Sequence, residues 1–264
     1  LIAESAQDPP RAAQAGRAFE RLARGLLVRE ALAGLRTATD AQFARLRRLC
    51  DAVGPAVVAP LAEALAAEAD PRARRRLREA IAAIGPRARE AVQELLEAKS
   101  WEVRRTAAYL LSELSDAEGL SALEPLLADR EPRVSREALR AVVVNGNERA
   151  FAAVARVLAA EGPGRAALAA ELAALRDERA APLFTYLLPR IDRRALRPLF
   201  LALIDALGAY GGPDAVDALT AVRDGGSWWA RWRTRADRKA AAEALRRIAA
   251  REAALRPSRV GQPS

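Results

Sequence analysis

The sequence predicts an all-α protein, a solenoid of repeated helix pairs, and three observations carry that prediction. Apolar patterns ending at Val53, Ile84, Leu114, Asn145, Leu175, Tyr210 and Ile248 recur at gaps of 31, 30, 31, 30, 35 and 38 residues. A period in this range marks stacked supersecondary units, each burying one face against the next. Inside each period lie two apolar stripes with helical spacing, and no alternating strand pattern occurs anywhere. Glycine and proline punctuate the stripes at repeating offsets.

The first helix of each pair, helix A, is read by counting back from these anchors. Three positions back stand Cys50, Ile81, Leu111, Val142, Leu172, Leu207 and Leu245; seven back stand Leu46, Leu77, Ala107, Ala138, Leu168, Leu203 and Ala241. Anchor and columns form an i, i+4, i+7 stripe, the buried side of an amphipathic helix. Gly54, Gly85, Gly146 and Gly211 follow their anchors directly, which suits a left-handed residue past a helix end. Helix B comes next. Its columns are Leu61, Val92, Ala122, Ala153, Leu183 and Ala218, then Leu65, Leu96, Leu126, Val157, Leu187 and Val222 four residues on. Pro71, Pro132 and Pro163 recur after helix B, with Trp101 at the equivalent place, and proline presets entry into the next helix.

Residues 9–36 are helical in character but break the period, so 1–39 is read as N-terminal capping helices, 40–252 as the repeat array and 253–264 as a disordered tail. Asp40 reads as the N-cap of the first periodic helix. Asn145 falls where an apolar residue is usual and reads as part of an Asn-Gly turn that it caps. The two long gaps imply insertions near Pro189–Pro198 and near Asp224–Arg235, both in turns between repeats, where repeat proteins build sites.

Particular phrases resemble the HEAT family in its short bacterial form, also known from phycobilin-lyase-type repeats. They are Asp70-Pro71 with Arg74; Trp101-Glu102-Val103-Arg104 leading to Leu114-Ser115-Asp116; and Gly211-Gly212-Pro213-Asp214-Ala215-Val216. The resemblance covers roughly residues 40–250. It implies an armadillo-like, right-handed superhelix with B helices on the concave side. It also implies a place beside other domains of a larger bacterial, cytoplasmic protein, which agrees with a chain that opens at Leu1 and has no Met. It is specific for architecture and says little of function, since such repeats serve many roles.

Charge is informative by its distribution. The net charge is +9, from 43 basic and 34 acidic residues, and all but two of the basic residues are Arg. An excess of Arg, Ala, Gly and Pro reads as GC-rich coding, so Arg count alone is discounted as a nucleic-acid signal. Residues 53–227 carry 24 basic and 25 acidic side chains, whereas 228–264 carry 10 and 3. In the A helices 12 Arg face 6 acids, and in the B helices 6 Arg face 11 acids. A concave face made of B helices is therefore mildly acidic, with Glu63, Glu90, Glu94, Glu97 and Glu124 as contributors, and favours a basic peptide or helix.

The second insertion holds Trp228, Trp229, Arg231, Trp232, Arg233 and Arg235. Tryptophan and arginine are what interface hot spots use, and the same set can stack on bases and hold phosphates. A third reading folds the rings back over the last helices as a core cap.

Catalysis finds little support. There is no histidine, which removes the usual general base, the commonest metal ligand and every Ser–His or Cys–His pair. The His-Glu metal motifs of HEAT-like iron hydroxylases are missing. Cys50, the one cysteine, sits in an apolar column and reads as core. A HEAT-like DNA glycosylase would use Trp, Asp and Arg around a basic groove; Trp228, Trp229 and Asp237 suit those roles, but the body of the array has no basic groove. No apolar run is long enough to span a bilayer. The sequence thus predicts a non-enzymatic protein-binding scaffold with no cofactor or metal. Its alternative is nucleic-acid binding through the basic C-terminal region, and a glycosylase or lyase-type enzyme is weaker still.

Overall fold

The computed structural model describes residues 34, 37–114, 119–225 and 234–255. The chain falls into two compact units, Leu1–Ala141 and Val142–Ser264. The expected capping helices (apart from the few described residues between 34 and 39) and the tail from residue 256 lie outside the described residues.

The first unit opens with α1 (Asp40–Val53), a 3-10 turn and α2 (Val58–Ala67). The second pair is α3 (Pro71–Ile84), then α4 (Arg89–Glu94) between 3-10 turns. The third is α5 (Trp101–Leu114) with the short α6 (Glu124–Leu127), and α7 (Pro132–Asn145) opens the fourth. In the second unit, α8 (Glu148–Ala159) is followed by α9 (Pro163–Ala174) with α10 (Ala181–Leu187), α11 (Arg197–Tyr210) with α12 (Pro213–Asp224), and α13 (Arg235–Leu255). No strand occurs among the described residues.

The two inner columns of the predicted A stripe are largely core, with Leu46 and Leu245 half-buried, but its anchor column is not: Ile84 and Ile248 are buried, Val53, Leu114, Asn145 and Leu175 are half-buried, and Tyr210 is exposed. Cys50, Leu77, Ile81, Ala107, Leu111, Ala138 and Val142 are all buried, as are Leu168, Leu172, Leu203, Leu207, Ala241 and Ile248. The columns of helix B hold in most pairs, with Leu61, Leu65, Val92, Leu126, Ala153, Val157, Leu183 and Leu187 buried. In α12 the register differs: Ala215 and Leu219 are buried, while Ala218 and Val222 are only half-buried. Gly54, Gly85 and Gly146 take φ of 74°, 65° and 47°, but Gly211 leaves α11 extended at φ −64°, ψ 145°. α12 presents a rotated face.

The punctuation behaves as its chemistry requires. Pro71, Pro132, Pro163 and Pro213 are first residues of their helices, where the missing N–H costs nothing. Asp70 caps α3 by accepting from the Ala73 amide at 2.8 Å. The cap of α1 is Thr39, not Asp40: Thr39 and Gln42 form a reciprocal capping box. Asp40, one residue on, instead accepts from Arg76 at 2.7 Å. Likewise Asn147 rather than Asn145 does the capping at the α7–α8 turn, accepting from the Ala150 amide at 2.9 Å, while Asn145 ends α7. At the first insertion, Asp192 accepts from the Arg194 amide at 2.8 Å and the Ala195 amide at 3.2 Å, which makes the Pro189–Pro198 segment an ordered turn.

By length and composition alone, the helical stretch Asp40–Ala67, whose mean hydropathy reaches 1.5, is apolar enough to cross a membrane. It is two helices, 14 and 10 residues long, turned at Gly54. Each is shorter than the roughly 20 residues a bilayer requires.

Cys50 is 4% exposed, and burial pushes its thiol up to about 11. A thiol so protected has almost no thiolate at neutral pH. A disulfide-exchange reagent should label the native chain very slowly and the denatured chain at once. Rapid native labelling would mean that α1 opens readily.

Candidate functional site

Two places were marked by the sequence. Of the Trp/Arg insertion, Trp228, Trp229, Arg231, Trp232 and Arg233 lie outside the described residues. Arg235 is the exposed first residue of α13. Beside it Thr234 and Asp237 are buried, and Arg197 approaches Asp237 Oδ1 at 3.1 Å. That oxygen is buried and accepts no hydrogen bond, so the contact is an ion pair without good hydrogen-bond alignment.

The acidic residues of the B helices come next. Glu63 on α2, Glu90 and Glu94 on α4, and Glu97 in the 3-10 turn after it are exposed. Glu124 starts α6, is half-buried and already has an interaction partner. Counting from the repeat anchors, Glu63, Glu94 and Glu124 each lie ten residues on, so they occupy one position on successive B helices. α2 and α4 pack side by side. The structure thus places Glu63, Glu90, Glu94 and Glu97 on neighbouring elements of one unit, a ladder of carboxylates pointing to solvent.

The arginines of the A helices are largely occupied by the fold, which the sequence reading did not foresee. Ten residues before the anchors stand Arg74, Arg104, Arg165 and Arg238. Arg74 Nη1 donates to the Leu65 and Glu68 carbonyls at 3.1 and 2.9 Å. Arg104 Nη1 donates to the Ala98 and Lys99 carbonyls at 2.8 and 3.1 Å. Arg238 Nε donates to the Arg223 carbonyl at 2.6 Å. The guanidiniums of Arg74, Arg104 and Arg238 thus close the preceding B helix by satisfying carbonyls its own ladder leaves open, whereas Arg165 keeps a buried Nε without a hydrogen bond. The signal was present as a repeating column, but an Arg-rich composition hides it.

Other arginines are spent similarly. Arg76, 2% exposed, donates to the Ala38 carbonyl at 2.7 Å and lies 5.2 Å from the Phe43 ring centre. Arg251 hydrogen-bonds the carbonyls of Gly208, Ala209 and Gly211 at the end of α11. Half-exposed arginines with no carboxylate in contact remain on α3 and α5, around Tyr109. Among the described residues no group of three His, Cys, Asp or Glu is arranged to hold a metal ion.

Comparison with known proteins agrees with this architecture. Residues 58–143 match the family model for HEAT repeats. No curated protein matches the chain. Among solved structures, human deoxyhypusine hydroxylase in complex with glycerol is similar at 18% identity, with 92% of this chain and 99% of that one covered, at a TM-score of 0.32. A designed armadillo repeat protein is similar at 18% identity, covering 83% of this chain and 98% of its own, at 0.28. An engineered protein aligns at 19% identity over 83% and 95%, at 0.27. These backbones superpose too loosely for anything of theirs to be carried over. The family match rests on the α2–α7 stretch, where the helix pairs, the Asp70-Pro71 entry and the Arg74 and Arg104 ties all fall. Residues 58–143 of this all-α chain of repeated helix pairs are thus similar to HEAT repeats.

Proposed function

We propose that this repeat scaffold binds a protein partner, and that the acidic ladder of its B helices receives a basic peptide or helix. The observation that carries the reading is the register of Glu63, Glu94 and Glu124, with Glu90 and Glu97 beside them. Carboxylates one repeat apart match basic side chains spaced along an extended or helical segment. Fields of one sign raise the on-rate of an oppositely charged partner and reject like-charged ones. Nucleic acid is disfavoured by the same field, and by the structural use of Arg74, Arg76, Arg104, Arg238 and Arg251.

The test is fluorescence anisotropy with a labelled Lys-Leu amphipathic peptide and, separately, labelled single-stranded DNA. The wild-type chain should bind the peptide with affinity that falls as salt rises. Glu63→Lys with Glu94→Lys should weaken it about tenfold or more, as close charge pairs at interfaces do. Equal peptide affinity in wild type and variant would remove the assignment. DNA binding that persists at physiological salt would favour the C-terminal basic region instead, because phosphate contacts have a steep salt dependence.

A further inference from the structure

We propose that the groove between α3 and α5, on the A helices, is a second binding site, and that it takes an acidic peptide segment carrying an apolar side chain next to its carboxylate. The inference is independent of the acidic ladder, which lies on the other helix of each pair.

The groove has two compartments. The first, about 130 Å³, is lined by Arg74, Arg78 and Arg105 with the Thr106 and Tyr109 side chains and one carboxylate, Glu137. Its size is that of about four liquid waters, which suits a carboxylate head and little more. The second, about 290 Å³, has Ile81, Ala82, Leu110 and Leu114 in its lining. Arg78 and Tyr109 line both and form the wall between them. That wall is fixed: Arg78 Nη1 donates to the Tyr109 hydroxyl at 2.9 Å, and the guanidinium lies 5.6 Å from the ring centre.

The charges of the first compartment are only partly offset: Glu102, held below the usual carboxylate range first by its Ser100 hydrogen bond, also feels the Arg105 charge. Arg74 is hydrogen-bonded only to carbonyls, Arg78 to a phenol, and Arg105 lies over the Trp101 ring at 5.5 Å. Among the described residues none of the three has a carboxylate within ion-pair distance. Three guanidiniums against Glu137, with Glu102 close enough to feel Arg105, leave a half-enclosed site with a net positive charge and unused N–H donors. A planar carboxylate is the group such forks hold best in a small space.

The second compartment decides the class of partner. Beside its apolar side chains stand Arg75, Glu79 and Glu113; Arg75 is paired with Glu79 at 3.4 Å, which leaves the Glu113 carboxylate facing any second anionic group. A run of phosphates would meet that carboxylate and Glu137. A peptide with a single Asp or Glu beside a Leu-like side chain satisfies both halves, the apolar anchor supplying affinity and the carboxylate fixing register.

The test uses the full chain and synthetic labelled peptides of repeating Glu-Glu-Leu and of repeating Glu-Glu-Gln, with single-stranded DNA as a third probe. The Leu-bearing peptide should bind, and the Gln-bearing one about fivefold or more weaker, since one buried apolar side chain is lost. Arg78→Gln with Arg105→Gln should lower affinity for the Leu peptide about tenfold. Glu137→Gln should raise it a few fold by removing the like charge, a gain that misfolding cannot imitate. Glu63→Lys with Glu94→Lys should leave it intact, which separates failure here from failure of the basic-peptide reading. The proposal is overturned if the two acidic peptides bind alike, if Glu137→Gln has no effect, or if DNA rather than peptide responds to the arginine variants.

Discussion

Arg104→Gln should destabilise the first unit by about 3–5 kcal/mol, the usual cost of removing one partner from a buried ion pair. Arg104 and Asp129 side chains are 10% and 8% exposed and meet twice, Nε to Oδ2 at 2.7 Å and Nη2 to Oδ1 at 2.9 Å. The same guanidinium closes the stretch after α4 through the Ala98 and Lys99 carbonyls. One side chain therefore ties together the end of one pair, the start of α5 and the end of α6. Glutamine cannot span these partners, and it leaves a buried carboxylate and two carbonyls unsatisfied.

The pH dependence follows from the same contact. Burial alone raises the Asp129 carboxyl, but the Arg104 hydrogen bond, the Glu131 amide and the Arg104 charge together hold it below the usual carboxylate range. A depressed carboxyl contributes stability that is fully present above its unfolded pKa, about 3.9. That stability fades as pH falls through the lower folded value. The gap between wild type and Arg104→Gln should thus be full near neutrality and shrink in acid. Because repeat units contact mainly their neighbours, the loss should appear first as faster amide exchange in α4–α6. A cost below about 1 kcal/mol at pH 7 would show that the pair is no stronger than a surface bridge.

The architecture was legible because its signals are local. A stripe at i, i+4 and i+7 defines a helix face wherever it occurs, so Ile81, Leu111 and Leu207 could be placed without knowing what they touch. Proline at a first helical position is equally local. What depends on a second helix was not legible. Nothing in the run Gly211-Gly212-Pro213 says whether a glycine serves its dihedral or its clearance, so the extended Gly211 and the rotated α12 face were missed. Arg74 and Arg104 were marked within the repeat phrases, but the capping they share with Arg238 was not read, because a side chain that caps the previous helix leaves no trace in its own helix pattern. Among the residues proposed for binding, exposure could be inferred for Glu63, Glu90, Glu94 and Glu97 from their positions outside the apolar columns. The pocket around Tyr109 could not, since Arg78 and Arg105 come together only when neighbouring A helices pack.

Gly211→Ala should cost about 2–3 kcal/mol, although its backbone suits any residue. At φ −64° and ψ 145° an L side chain is unstrained, so dihedral preference predicts no penalty and the lower unfolded-state entropy of Ala predicts a small gain. Space decides otherwise. A Cβ here would lie 2.4 Å from the Leu207 carbonyl oxygen and 2.7 Å from Ala215 Cβ. The carbonyl is held in the last turn of α11, where it accepts from the Gly211 amide at 2.7 Å, and Ala215 is 1% exposed. Neither can retreat without parting α11 from α12. Overpacking of this kind typically costs 1–3 kcal/mol, and α13 packs against both helices, so it would loosen with them. The neighbouring position supplies the control: nothing lies within 4 Å of a Cβ built at Gly212, which is exposed. Gly212→Ala should stay within about 0.5 kcal/mol of wild type. Urea unfolding of the two variants side by side separates clearance from conformation, because adjacent glycines share the same entropy change. Equal midpoints for both would falsify the clearance argument and leave Gly211 as an ordinary turn residue.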